Sequence, residues 1–430
     1  MLRAFGQAFR TPDLRRKIIF TLAIMAIYRL GTYIPAPGVS YRNLQQCLGQ
    51  QDTGGIMGMI NLFSGGGMLQ LSVFALGIMP YITSSIIVQL MRVVIPRFEE
   101  LHKEGQTGTA KLTQYTRYFT IFLAVLQSSV IVTLASSGNL FQVPCPSPVP
   151  DDSWGALILM IIAMTAGTGL VMWLGELITD RGVGNGMSLL IFTSICASFP
   201  TAMFSVLGSN DGVAKFISIL ALVLVVTLLV VFVEQAQRRV PVQYAKRMIG
   251  RRMYGGSSTY IPIKINMAGV IPVIFASSLL ALPMLVTQFA DPTEPWAQWL
   301  QANLVSPSSP LHIGLFSVLI LFFAFFYTSI TFNPDEVADN MKRYGGFIPG
   351  IRAGRPTAEY LQYVITRVTF VGAIYLTLVA LIPQIVFGSF GITQMAFGGT
   401  SILIVVGVGL QTVKEIESQL QQRHYEGFLS

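Results

Sequence analysis

Ten long apolar runs leave this chain one class of fold. They lie at about 18–34, 71–95, 117–136, 154–177, 183–207, 214–234, 267–289, 311–332, 368–387 and 397–413. A helix needs roughly 20 apolar residues to cross a bilayer core of about 30 Å. In hydrocarbon each backbone N–H and C=O must find its partner within its own segment, which favours helices. Composition agrees: 52% of residues are hydrophobic, only 11% are charged, and the mean hydropathy is +0.61. The chain therefore reads as an all-α polytopic membrane protein. The first, fifth and last runs are the least clean, interrupted by Arg29, by Ser, Pro and Gly, and by glycines. Arg15-Arg16-Lys17 ahead of Ile18–Ile34 has the charged and apolar regions of a signal sequence. However, the run is long, contains Arg29, and leads into Pro35-Ala36-Pro37-Gly38 without a small-residue cleavage site, so it reads as a retained first span.

Charge fixes the orientation. One set of connections holds Arg3 to Lys17, Arg92 to Arg117, Arg181, Arg238 to Lys264, Lys342 to Arg367, Lys414 and Arg423; the other holds Arg42 and Lys215 alone. Twenty-five basic residues against two predict that the first set is cytoplasmic, with both termini on that side. An internal repeat divides the runs. Gly77-Ile78-Met79-Pro80-Tyr81-Ile82 leads to Ser84-Ser85 in the second, and Gly269-Val270-Ile271-Pro272-Val273-Ile274 leads to Ser277-Ser278 in the seventh. Such residues are common in membrane helices, so the local match alone is weak; its position carries it. Spans five apart cross in opposite senses, which predicts two inverted five-helix halves, residues 1–207 and 208–430.

The spans carry little chemistry. Arg29 falls near an outer end, and Glu176 and Glu234 near cytoplasmic ends, where snorkelling or capping is the simple expectation. With no mid-span charge to bind an ion or relay a proton, a coupled transporter for a small solute is the second choice. Gly105 to Lys111 looks superficially phosphate-binding but lacks the Gly-Lys-Ser/Thr ending, and no enzyme signature, cofactor site or metal-ligand spacing is legible. Two basic loops stand out. Residues 235–266, with Gly255-Gly256, predict a projecting hairpin; residues 333–367 carry an apolar tip, Gly346-Phe347-Ile348-Pro349-Gly350-Ile351-Arg352. Such loops can serve topology and attraction to anionic lipid, or dock a large acidic or RNA-bearing partner; the glycines and the shaped tip favour docking. Cys47 and Cys145 both fall in outer loops, where a disulfide can persist, but nothing in the spacing brings them together and separate thiols are the simpler expectation. Cys196 reads as a packing residue.

Gly54 to Pro96 is the most unusual stretch. Ile56–Ser64 is apolar but far too short to span, Gly65-Gly66-Gly67 forms a hinge, and the long run 71–95 follows. A short apolar piece hinged to a span is suited to a cavity built by the rest of the chain, where non-spanning backbone is tolerated.

These residues resemble the SecY family, the central subunit of the bacterial protein translocation channel, over essentially the whole chain. The likeness rests on Asn61-Leu62-Phe63-Ser64-Gly65-Gly66, Phe74 to Ile82, Gln114-Tyr115-Thr116-Arg117 and Gly184-Asn185-Gly186. Further along it rests on Tyr244 to Arg247, Gly250-Arg251-Arg252, Ala268 to Pro272, Gly346 to Arg352 and Tyr425-Glu426. The resemblance implies a ten-helix clamshell around an hourglass pore. It implies a plug at about 56–67, including Ile60, Asn61, Leu62, Phe63, Ser64, Gly65 and Gly66, and a pore ring of Ile78, Ile82, Ile191, Ile274 and Ile404. It further implies a lateral gate between spans two and three and spans seven and eight, opening toward membrane lipids. Arg251, Arg252 and Arg352 would dock the SecA motor or the ribosome, and SecE and SecG would be companion subunits. Substrates would be unfolded polypeptides bearing signal sequences, crossing or entering the bacterial inner membrane. The three-glycine hinge is one glycine longer than the family pattern.

Overall fold

A computed structural model of the chain describes residues 9–48, 64–136, 147–207, 212–244, 247–249, 252–254, 258–289, 294–306, 309–389 and 398–426. Helix α1 (Pro12–Gly31) begins with a proline in its first turn, where the missing N–H has no helical partner to lose. A short helix, α2 (Tyr41–Leu48), precedes α3 (Met79–Val94), α4 (Pro96–Lys103), α5 (Gln106–Ser136), α6 (Trp154–Arg181), α7 (Gly186–Leu207) and α8 (Gly212–Gln235). After a β-segment come α9 (Ile271–Phe289), the short α10 (Pro295–Leu300) with a π-helical turn at Gln301–Val305, α11 (Pro310–Thr331) and α12 (Pro334–Arg343). Two long helices, α13 (Arg355–Ser389) and α14 (Gly399–Glu426), complete the described chain.

Among the described residues, six helical segments are long and apolar enough to cross a membrane. The pair Met79–Arg92 and Pro96–Lys103, bent by 98°, brings the number to seven. The ten apolar runs are thus recovered as helices, but not all as full-length spans. In α1 the first half is broken by Arg15, Arg16 and Lys17. Helices α7, of 22 residues, and α9, of 19, each carry an internal proline, Pro200 or Pro283.

The run 71–95 is the largest departure from expectation. Its helix starts only at Met79; residues 64–78 form successive turns. Two backbone features account for this. Leu71 adopts φ 45°, and Gly77 adopts φ 54° just ahead of the helix, so neither continues an α-helix. Long-range pairing then holds the segment: Ala36 N–H donates to Leu71 O and Val73 N–H to Ile34 O, both at 2.9 Å. The repeat has a structural counterpart. Gly269 also has positive φ (62°), two residues before α9, as Gly77 stands two residues before α3, and Pro80 and Pro272 are each the second residue of their helix.

The central core joins α1, α3, α6, α7, α8, α9, α11, α13 and α14 around Tyr28, Ile78, Leu190, Ile195, Ile320 and Leu403. A second cluster, with Leu44, Cys47, Leu69, Leu71, Val132, Met160 and Met164, packs the 64–78 segment against α2, α5 and α6. Gly167 makes this possible: a Cβ there would come within 2.0 Å of the Val73 carbonyl oxygen. Cys47 is buried and disulfide-bonded, which corrects the expectation of separate thiols; Cys145 lies outside the described residues, and Cys196 is a free thiol.

The predicted hairpin is present. Strands β1 (Gln237–Tyr244) and β4 (Ser258–Lys264) pair antiparallel from Gln237–Lys264 to Gln243–Ser258, with β2 (Arg247–Ile249) and β3 (Arg252–Tyr254) forming a smaller pair beyond. The second basic loop contributes β5 (Gly346–Phe347), which pairs with Gln243 and Tyr244, so the two loops form one sheet. Val240, Val242, Ile263 and Ile348 bury that sheet against Met341 of α12 and Leu361, Val364 and Ile365 of α13.

Candidate pore and plug hinge

The five isoleucines of the implied ring come from separate parts of the chain and meet in one buried cluster. Ile78 caps α3 and Ile82 follows one turn later, its N–H bonded to the Ile78 carbonyl at 3.1 Å. Ile274 holds the corresponding place in the first turn of α9, Ile191 lies in α7, and Ile404 lies in α14. Ile78 and Ile404 are 1% exposed, Ile191 4% and Ile274 7%; Ile82 is half-buried. Unlike the lining of a binding site, these five side chains present no donor or acceptor. Such a cluster can exclude ions by dewetting.

Ile82, Ile191 and Ile274 also line a cavity of about 470 Å³. Its walls alternate in character: Tyr81, Ser85 and Gln89 of α3 and Phe275 of α9 face Thr113 and Arg117 of α5, Glu176 and Asp180 of α6, and Tyr327 of α11. Arg117 and Glu176 form a two-pronged ion pair, Nε to Oε1 at 2.9 Å and Nη2 to Oε2 at 2.8 Å. Glu176 is therefore neither a helix cap nor a snorkelling group; it fastens α5 to α6 through a planar fork-to-fork contact. Glu234 likewise is engaged, accepting from Asn266 Nδ2 at 2.5 Å while the same Asn266 group donates to the Gly269 carbonyl at 3.1 Å. The Ser84 hydroxyl on α3 is fully buried and lacks a hydrogen-bond partner among the described residues, whereas Ser277 and Ser278 both donate to the Ile274 carbonyl.

The 64–78 segment packs into the same cluster through Phe74 and Ile78. Of the implied plug, Ile60, Asn61, Leu62 and Phe63 lie outside the described residues; Ser64, Gly65 and Gly66 are its described end. Ser64 Oγ accepts from Met68 N–H at 3.1 Å, and Gly67 O accepts from Ser72 N–H at 3.0 Å, so the hinge runs directly into the tether paired with residues 34–36. Gly65 (φ 67°) sits between α1 and α7: a Cβ on it would meet Arg29 Nη1 at 3.3 Å and Ser194 Cα at 3.4 Å. Ser194 Oγ and Tyr28 Oη are hydrogen-bonded at 2.8 Å in the core, tying the same two helices together.

Arg29 departs from the sequence expectation. Its guanidinium does not simply reach for the interface; Nη1 donates to the Gly65 carbonyl and Nη2 to Tyr33 Oη at 2.7 Å. The signal for it was visible, a lone arginine inside an apolar run, but its partner lies 36 residues away in a turn that periodicity does not reveal. Of the implied docking residues, Arg352 is exposed beside β5, Arg252 belongs to β3, and Arg251 lies outside the described residues.

The SecY family profile matches residues 72–413. The protein translocase subunit SecY of Streptomyces scabiei is 62% identical over 437 residues, covering 100% of both chains. A solved protein-conducting channel superposes with a TM-score of 0.63 at 19% identity, over 94% of this chain and 91% of its own. A SecY structure, whose plug domain is described as stabilising the closed state and maintaining a membrane seal, superposes at 0.60 and 18% identity with the same coverage. The family match over residues 72–413 and 62% identity across both whole chains, beside a buried aliphatic cluster with an adjoining cavity, lead to one conclusion: the chain belongs to the SecY family, the protein-conducting channel subunit of the protein translocase.

Proposed function

We propose that the chain is a passive, gated pore whose constriction is the ring of Ile78, Ile82, Ile191, Ile274 and Ile404. The observation that carries this reading is that the five side chains, from four helices, share one apolar cluster, three of them (Ile82, Ile191 and Ile274) also lining the 470 Å³ cavity. In this reading ten spans form two inverted halves, 1–207 and 208–430, closed like a clamshell. The matching Gly-Pro-Ile starts of α3 and α9 support it, since each half then delivers one isoleucine at the same helical position. Unfolded polypeptide passes from the cavity through the ring, and α3 with α5 parts from α9 with α11 to release membrane segments sideways into lipid.

Residues 56–67 act as the plug, and Ser64 to Gly67 as its hinge. The closed-state role described for the plug of the structurally similar SecY protein supports this. The β1–β4–β5 sheet, with Arg251, Arg252 and Arg352, receives SecA or the ribosome on the cytoplasmic side of the inner membrane, where both termini lie. SecE clamps the halves, and SecG joins them. The pore itself performs no chemistry, so the partner supplies the driving energy. The test is single-channel conductance of the full-length chain assembled with SecE in planar bilayers, with and without residues 56–67. A quiet intact channel that opens frequently after the deletion is expected; two equally quiet channels with saturable uptake of a small solute would overturn the reading.

A further inference from the structure

Arg29 sits in the last turn of α1, where a cation gains from the helix dipole wherever its side chain points. Its actual direction is specific. One edge of the guanidinium serves the Gly65 carbonyl and, at 3.4 Å, Thr32 Oγ1; the other serves Tyr33 Oη. The same group stacks 4.6 Å from the centroid of the Tyr33 ring, which fixes the plane of the fork. On the far side, Gly65 is backed by Ser194 of α7, itself tied to Tyr28 one residue before Arg29. The hinge carbonyl is thus gripped by a charged donor from one helix and pressed against a second helix.

A half-buried, charge-assisted hydrogen bond to a carbonyl is stronger than a neutral one, and stronger still where water is scarce. The neighbouring hinge bonds are local: Gly67 N–H to Ser64 O spans three residues, and Ser64 Oγ to Met68 N–H spans four. Those bonds can travel with the hinge when it moves. The Arg29 bond cannot, because it joins the hinge to a helix of the wall.

We infer that Arg29 is the latch of the plug hinge: its guanidinium holds the Gly65 carbonyl in the closed position, and release of this one contact sets how readily the plug leaves. The inference rests on reading residues 56–67 as the plug. Arg29 is a positioning residue for the closed state; it touches the hinge and not the polypeptide path through the ring.

The experiment records single-channel openings of the full-length chain with SecE for wild type, Arg29→Gln and Arg29→Lys, each with and without residues 56–67. Arg29→Gln raises the opening frequency of the intact channel roughly tenfold, the scale of one lost charged hydrogen bond. Arg29→Lys, which keeps a charged donor, recovers most of the closure. In the deleted channel Arg29→Gln adds nothing, because the group it holds is gone. Should Arg29→Gln stay quiet while the deletion opens the channel, the latch is overturned and the plug stands. Equal increments in both backgrounds would place the action of Arg29 elsewhere, and a silent deletion would remove the plug and the latch together. If Arg29→Gln fails to accumulate, Gly65→Ala attacks the contact from the other partner. It should raise the opening frequency in the intact channel, and a wild-type opening frequency there would overturn the latch.

Discussion

The two sides of the isoleucine cluster are built on opposite principles. On one side the 64–78 segment is fastened by backbone bonds to residues 34–36, by the Arg29 contact to Gly65, and by close packing over Gly167. On the other side is a cavity whose partly polar walls include the ion pair between Arg117 and Glu176. The first side is directional and discrete: a bond is made or broken. The second is open, and in the proposed reading it is the tolerant side, entered by chains of any sequence. A pore that accepts many substrates from one side and must not leak toward the other needs this asymmetry.

Three substitutions test the contrast. The largest effect belongs to Gly167→Val. Its Cβ would come within 2.0 Å of backbone, which no rotamer change relieves, so the tether must leave its seat at a cost above about 3 kcal/mol. Poor accumulation in membranes, or a channel that leaks as freely as one without residues 56–67, is expected; normal accumulation with a tight seal would show that the fastened side tolerates looseness. Next comes Ile404→Asn, in the cluster between the two sides. A buried amide without partners costs about 1–3 kcal/mol, so the ratio of closed to open channels should fall roughly tenfold and export of substrates with defective signal sequences should rise. An unchanged leak and unchanged stringency would remove Ile404 from the constriction. The smallest is Arg352→Glu, on the tolerant side. Export should slow by about threefold to tenfold through weakened docking, with resting conductance unchanged. A change in resting conductance would mean that the two sides are not separable.

How much of this was legible beforehand differs between the same two sides. Apolar runs, basic loops and the hairpin at 237–264 follow from local composition and periodicity, and the sequence reading located them. The tether did not follow. Residues 71–78 are as apolar as a span, and their non-helical path depends on Leu71 and Gly77 taking positive φ and on pairing with Ile34 and Ala36, a contact no window of sequence contains. Arg29 was noticed and misread for the same reason: its partner is a backbone carbonyl, which has no residue signature. The third strand, β5, escaped because two residues carry no period. The ring residues came from family likeness rather than from chemistry, since an isoleucine facing a pore and one facing lipid read alike.

The joining of β5 to β1 has a mechanical meaning. β1 leaves the end of α8, β4 leads into α9, and β5 lies between α12 and α13, with one apolar core beneath all three strands. A load applied at Phe347 therefore cannot be absorbed by one loop bending on its own. It is shared as a torque on the roots of several helices, and α9, which carries Ile274, is among them. The sheet is in this sense a handle fixed to the helices rather than a landing pad beside them.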